Sequence, residues 1–162
     1  MPLVNNITRF LDARKIPYQA FELPAEKLGA RETAELLKVD LALVYKTIVV
    51  TRLSGKPILA VIPGPNRVDL KLLAAALREK KVSLPTEREA ETLTGLQAGG
   101  ISPLALLGKG FQVVIDVAAK ESPEIHISGG QRGLNIRLPV PALAEMTRAR
   151  FERISVPEAQ AH

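Results

Sequence analysis

The chain has 162 residues, no cysteine, two histidines and a formal net charge of +5. That length suits one domain with a real core. The missing cysteines exclude a disulfide, a thiolate nucleophile and a Cys-based metal centre, and His126 and His162 are too few for the usual zinc patterns. The chain is 46% hydrophobic and 24% charged, as a soluble globular protein should be, and no apolar run approaches a membrane span. Met1-Pro2-Leu3-Val4-Asn5 carries neither the charged region nor the apolar stretch of a signal peptide, so a cytoplasmic setting is expected. The excess of Lys and Arg permits a polyanionic partner without requiring one.

Residues 5–15 place Ile7, Phe10 and Leu11 at helical spacing behind Asn5, and Pro17 ends the pattern. Residues 18–23 alternate as a short strand stopped by Pro24. A helix is expected over 31–37, with Ala34 and Leu37 inward. Next comes an apolar strand with a lysine set into it, Val44-Tyr45-Lys46-Thr47-Ile48-Val49-Val50. Alternation puts Lys46 on the face of Val44, Ile48 and Val50, where core is expected. An ammonium there must be paired, reach an opening or serve a purpose. Thr47 falls on the opposite face and reaches the same place only at a bend or bulge.

Ser54-Gly55-Lys56-Pro57 is a turn, and residues 58–62 form a second buried strand, pairing with the first as a hairpin. Pro63-Gly64-Pro65-Asn66 breaks the chain before a helix over 69–80. Residues 81–85 read as a short edge strand. Thr86 caps a helix running to about Thr92, with Glu89 completing a capping box. After a loop at 95–100, strands are expected over 111–117, 124–128 and 134–138. Residues 141–149 fit a closing helix with proline first. Residues 1–155 are expected to form the domain and 156–162 a mobile tail. Strands mixed irregularly with helices indicate a single compact α+β domain.

Three segments bear on chemistry. Lys46 reads either as a lysine snorkelling to water or as a partly buried cation that holds a phosphate, carboxylate or developing oxyanion. Gly99-Gly100-Ile101-Ser102-Pro103 combines glycines that admit close approach with Ser102 as N-cap and Pro103 as first helical residue. Its backbone N–H groups suit an anion or oxyanion, or the segment is simply a capped helix. Ser128-Gly129-Gly130-Gln131-Arg132-Gly133 joins two strands as a hairpin loop or as a backbone nest, with Ser128 and Asn135 at its rims. A Ser-His-Asp triad would need His126, and nothing at catalytic spacing supports it. No P-loop or dinucleotide fingerprint is present. Arg67, Lys71, Arg78, Lys80 and Lys81 cluster around the helix from Asp69, as a solvated face or an RNA phosphate track.

In this order and at these separations, the three segments resemble the YbaK/EbsC family of free-standing aminoacyl-tRNA deacylases. Asp116 in Val114-Ile115-Asp116 fits as well, and the likeness runs from about Ile7 to Ile154. The resemblance implies a curled, mixed six- to seven-stranded sheet flanked by helices, related to the editing domain of prolyl-tRNA synthetase. It implies hydrolysis of the ester of mischarged aminoacyl-tRNA, most nearly Cys-tRNA(Pro), with Lys46 as the catalytic residue. Thr47, Gly99, Gly100, Ile101, Ser102, Ser128, Gly129, Gly130, Gly133 and Asn135 are the implied substrate contacts. No metal or other cofactor is implied. Aminoacyl-tRNA is the implied partner, with prolyl-tRNA synthetase as a candidate second one, and neither DNA nor membrane. An aminoacyl ester is already activated, so the substrate's thiol or a water suffices as nucleophile. Phe21, Leu28, Leu96 and Asn135 depart from common family residues and are expected at the pocket wall. Two other readings stand: a deacylase for Ala or Ser, and a non-catalytic tRNA-binding module.

Overall fold

The computed structural model describes residues 4–158. The first helix, α1 (Asn6–Ala13), starts at a reciprocal cap: the Thr8 amide donates to Asn5 Oδ1 at 2.9 Å, and the Asn5 amide to Thr8 Oγ1 at 2.8 Å. Of the three positions that the helical spacing selects it buries Ile7 and Leu11, while Phe10 stays half-buried. Strand β1 (Gln19–Glu22) follows, then α2 (Ala30–Leu37). The lysine-bearing strand is β2 (Tyr45–Arg52), and it pairs antiparallel with β3 (Ile58–Pro63), Lys46 lying opposite Ile62. Next are β4 (Asn66–Val68), α3 (Leu70–Leu77), β5 (Val82–Ser83) and α4 (Glu87–Thr94). The Thr86/Glu89 capping box opens α4, and Gly95, at φ 73°, closes it. A short 3-10 turn at Pro103–Leu106 leads to β6 (Gln112–Asp116). Then come β7 (Glu124–Ser128), β8 (Leu134–Pro139), α5 (Val140–Thr147), β9 (Arg150–Glu152) and β10 (Ser155–Pro157).

The α+β expectation holds, with the strands divided differently. A five-stranded sheet runs β5-β2-β3-β6-β9, parallel at β3–β6 and β6–β9 and antiparallel elsewhere. A three-stranded antiparallel sheet runs β1-β8-β7, and β10 pairs with β4. The two larger sheets touch where Val44 bridges to His126. β3 is buried along its whole length because both faces are covered. On one face Leu59, Val61, Val113 and Ile115 meet Leu11, Ile127, Ile136 and Leu143. On the other, Ile58, Ala60 and Ile62 meet Leu73 of α3 and Ile154. Each such aliphatic side chain, fully buried, contributes about 1.5–3 kcal/mol.

Three differences have local causes. The helix expected over 69–80 stops at Leu77, because Arg78 turns left-handed (φ 56°) and its N–H closes on Ala74 and Ala75. α5 starts at Val140, one residue before its proline. Val156 and Pro157 belong to β10 rather than to a tail, since the Asp116 carboxylate accepts from the Ser155 hydroxyl at 2.6 Å and the Ile154 N–H at 3.2 Å. Residues 159–162 of that expected tail lie outside the described residues. Among the described residues no helix is long and apolar enough to cross a membrane.

Candidate active site

The outer edge of β2 carries β5 only at Thr51 and Arg52, so residues 45–50 have no strand partner on that side. A cavity of about 480 Å³ opens there. Its wall takes Val44 and, from β2, Tyr45 to Thr47; Ala98, Gly99 and Ile101 from the first glycine loop; and Gly133 from the second, with Ser128, Leu134 and Asn135 from the strands that flank it. The loop from Leu23 to Gly29 and the start of α2 close the remaining side.

Lys46 shares its strand face with Ile48 and Val50, as alternation requires, and its side chain keeps 29% exposure. It reaches an opening: its nearest carboxylate is the exposed Glu158, at 3.9 Å, too loose and too wet to hold it. Thr47 points to the other face, yet it lines the same cavity with no bulge, in register with Val61. The cavity wraps around the bare strand edge and so collects both faces. The Thr47 hydroxyl is buried and has no hydrogen-bond partner. Such a group costs about 1–3 kcal/mol until a ligand or solvent satisfies it.

The glycines divide into two sets. Gly99, at φ 89°, and Gly133, at φ 90°, face the cavity in a left-handed conformation. Gly100 sits behind it, where the two loops are pressed together, and Gly129 under Leu134 of its own hairpin. A Cβ on Gly100 would lie 2.9 Å from Gln131 Cα, and one on Gly129 2.4 Å from Leu134 Cγ. Gly130 is packed against Ile7. The first loop is held at Ala98, whose N–H donates to Glu91 Oε2 at 2.7 Å and whose carbonyl accepts from Arg132 Nε at 2.7 Å.

Ser102 is fully buried, and its hydroxyl accepts from the Leu104 amide at 3.2 Å. The expected N-cap is therefore present, but it opens a four-residue 3-10 turn away from the cavity, which Ile101 lines instead. Of the expected contacts, the structure brings Lys46, Thr47, Gly99, Ile101, Ser128, Gly133 and Asn135 together. Gly100, Ser102, Gly129 and Gly130 do not line the cavity.

Asn135 is buried on β8, and its Oδ1 lies 2.9 Å from His126 Nδ1. With Oδ1 facing His126, the ring nitrogen Nδ1 donates in this contact, and Asn135 also lines the cavity. Burial pushes His126 below its ordinary value and Arg137 adds to this, against the Asn135 hydrogen bond and Glu124. Phe21 packs on the His126 ring at 5.5 Å. Of the four residues expected at the wall, Leu28 and Asn135 line it; Phe21 lies behind His126, and Leu96 packs against the core.

Sequence reasoning passed over the rim and Tyr45. Lys27 and Glu87 pair at 2.6 Å, tying the loop before α2 to α4. Only their shared cavity marks them, because they stand 60 positions apart. Tyr45 contributes to the wall, and burial, with Asp116 and Glu121, pushes its phenol up to about 12, so it stays protonated. The site thus offers Lys46 as a cation without a close partner, beside the Lys27–Glu87 pair, a buried threonine hydroxyl without a partner, the Asn135 amide and glycine backbone. It suits an anionic or ester-bearing ligand that brings its own nucleophile or admits water.

The family model of the aminoacyl-tRNA editing domain matches residues 25–146, a span that includes every wall segment of the cavity except Leu23. The chain belongs to this family. It is an aminoacyl-tRNA deacylase, a hydrolase of the ester between amino acid and tRNA. A relative from Enterococcus faecalis (strain ATCC 700802 / V583), EbsC, is 33% identical over 155 residues, covering 94% of each chain. Its name provisionally assigns it as a Cys-tRNA(Pro)/Cys-tRNA(Cys) deacylase. Among solved structures, the hypothetical protein APE2540 is similar at a TM-score of 0.85 and 24% identity, over 94% of this chain and all of that one. A structure provisionally described as a trans-editing enzyme for prolyl tRNA synthetase is similar at 0.77 and 23%, over 98% of this chain and all of that one. At such identities these two speak to the fold alone.

Proposed function

We propose that the deacylase acts in trans on Cys-tRNA(Pro). The observation that carries this is the meeting of Lys46, the unpaired Thr47 hydroxyl and the Asn135 amide in one cavity with no thiol or free imidazole. Attack on the ester carbonyl moves charge onto its oxygen. The Lys46 ammonium stabilises that oxygen, with backbone groups of Gly99 and Ile101 around it. Ser128, Gly133, Thr47 and Asn135 orient the aminoacyl end, while Gly100, Ser102, Gly129 and Gly130 hold the loops that carry it. A cysteinyl group supplies its own thiol as nucleophile, which suits a site without one. The C–O bond then breaks, the thiol proton passes to the leaving ribose oxygen to give the terminal hydroxyl of the tRNA, and water hydrolyses the cyclic thioester left behind to free cysteine. The name of the E. faecalis relative supports this substrate.

The domain is proposed to comprise the described residues through β10. Transfer-RNA identity is proposed to come from prolyl-tRNA synthetase, because so small a chain has little surface with which to read a whole tRNA. The setting proposed is the cytoplasm, where that substrate is made.

A deacylation panel at physiological salt tests the reading. It uses Cys-, Ala-, Ser- and Pro-tRNA(Pro), Cys-tRNA(Cys) and the Lys46→Ala variant. Selective loss of the cysteinyl esters is expected. Lys46→Ala should lower kcat/KM by about 10²–10³ with an unchanged thermal melt. Cleavage of Ala- or Ser-tRNA instead would overturn the specificity and the thiol route. No cleavage of any ester, even with prolyl-tRNA synthetase added, would leave a tRNA-binding module.

A further inference from the structure

Lys46 is also the wall of a second cavity, of about 470 Å³, on the α3 face of the sheet. Its floor is apolar: Ile48 and Ile62 from the strands, Leu70 from α3 and Leu84 just after β5. Leu84 is 56% exposed there, a leucine the core does not use. Arg67 and Lys71 stand at the mouth, both exposed, and neither makes an ion pair with any described residue. The one carboxylate in the lining, Asp69, is committed to capping α3, accepting from the Leu72 amide at 3.0 Å. Arg78, Lys80 and Lys81, grouped with Arg67 and Lys71 by sequence, line neither cavity.

An aminoacyl ester has two ends. With the amino acid in the first cavity and the ester at Lys46, the ribose sits at the strand edge. The far side of Lys46, where the second cavity begins, gives its base and 5′-phosphate a way out. An apolar floor with two unpaired cations at its mouth fits an aromatic base with a phosphate beside it. A free anion would not need Ile48, Leu70 and Leu84.

We infer that this second cavity binds the 3′-terminal nucleoside of the RNA, its base on the apolar floor and its 5′-phosphate on Arg67 and Lys71. The inference rests on the proposed ester cleavage at Lys46.

The test uses the full chain and the Arg67→Ala/Lys71→Ala double variant, with Leu84→Asp as a separate probe of the floor. The substituted side chains are exposed, and a thermal melt confirms folding. In steady-state deacylation the double variant should raise KM about tenfold and change kcat little. Its slope of log kcat/KM against log salt should be shallower by about 0.7, the value for one phosphate contact on a single strand. Adenosine 5′-monophosphate, titrated by NMR, should shift residues around Ile48, Arg67 and Leu84, and Leu84→Asp should weaken it. Inorganic phosphate at the same concentration should not displace it. Unchanged KM and salt slope with normal cleavage would overturn the second cavity alone. So would displacement by phosphate, which reduces the site to an anion site. Absence of cleavage by the unaltered protein overturns instead the reading of Lys46, and this inference with it.

Discussion

Thr47 is the residue at which stability and function pull apart. Its hydroxyl is buried without a partner, so the folded protein carries a desolvated polar group that only a ligand or solvent satisfies. Thr47→Val keeps the shape and removes the group. It should leave stability unchanged or raise it by about 1 kcal/mol in urea unfolding, while kcat/KM falls about tenfold. A large loss of stability would show that the hydroxyl is satisfied in the folded protein. His126 makes a second residue-scale prediction. Burial holds it below its ordinary value of 6.5, so the unfolded chain binds its proton more tightly. Its contribution is complete above pH 6.5, is lost as pH falls below that, and levels off under the folded value. Urea midpoints between pH 8 and 5 should show this slope, and His126→Gln should flatten it. A slope that survives the substitution belongs to other groups.

At the scale of elements, one side chain reinforces the strand pairing at the C-terminal end. Asp116 ends β6, caps the following 3-10 turn through the Ala118 amide at 2.9 Å, and holds Ile154 and Ser155. Asp116→Ala leaves these buried donors without an acceptor and frees β10 from its anchor. A loss of about 2–4 kcal/mol is expected, with faster amide exchange in β10 and β4 than in β2 and β3. Uniform acceleration across all strands would mean that β10 is not separately held. The glycine loops obey a different rule. Gly100 is small because its loop touches the backbone of Gln131 and Arg132 in the other, and Gly129 because Leu134 of its own hairpin packs on it, so both hold the cavity's shape without facing it. Their resemblance to a ligand-binding nest in sequence reflects the same demand for close approach, met here by the protein's own chain.

Across the whole molecule, the two hydrophobic clusters lie on opposite faces of the same strands, β2, β3 and β6. Neither can melt while those strands remain paired. Unfolding in urea should therefore be a single transition, coincident by far-ultraviolet circular dichroism and by tyrosine emission, the chain having no tryptophan. Separated midpoints would show the three-stranded sheet opening first. The candidate cavity lies at the seam between the sheets, so it forms only when both are in place.

Much of this was legible in local sequence. The Asn5 cap, the Thr86/Glu89 box, the hairpin around Ser54–Pro57 and the strand bearing Lys46 follow from rules that act over a few residues, and each is present where the pattern puts it. The three ordered motifs were enough to identify the family. Tertiary structure alone decided which of their residues share a cavity. Thr47 joins Lys46 because β5 is too short to cover the edge of β2, and nothing near Thr47 in sequence says so. Gly100 turns inward because it packs against Gln131 and Arg132, distant in the chain, and Ser102 beside it is fully buried. The strands after Arg150 depend on pairing with β6 and β4. The sequence determined the local backbone and the chemistry it carries; long-range pairing and the gaps it leaves determined where that chemistry meets a substrate.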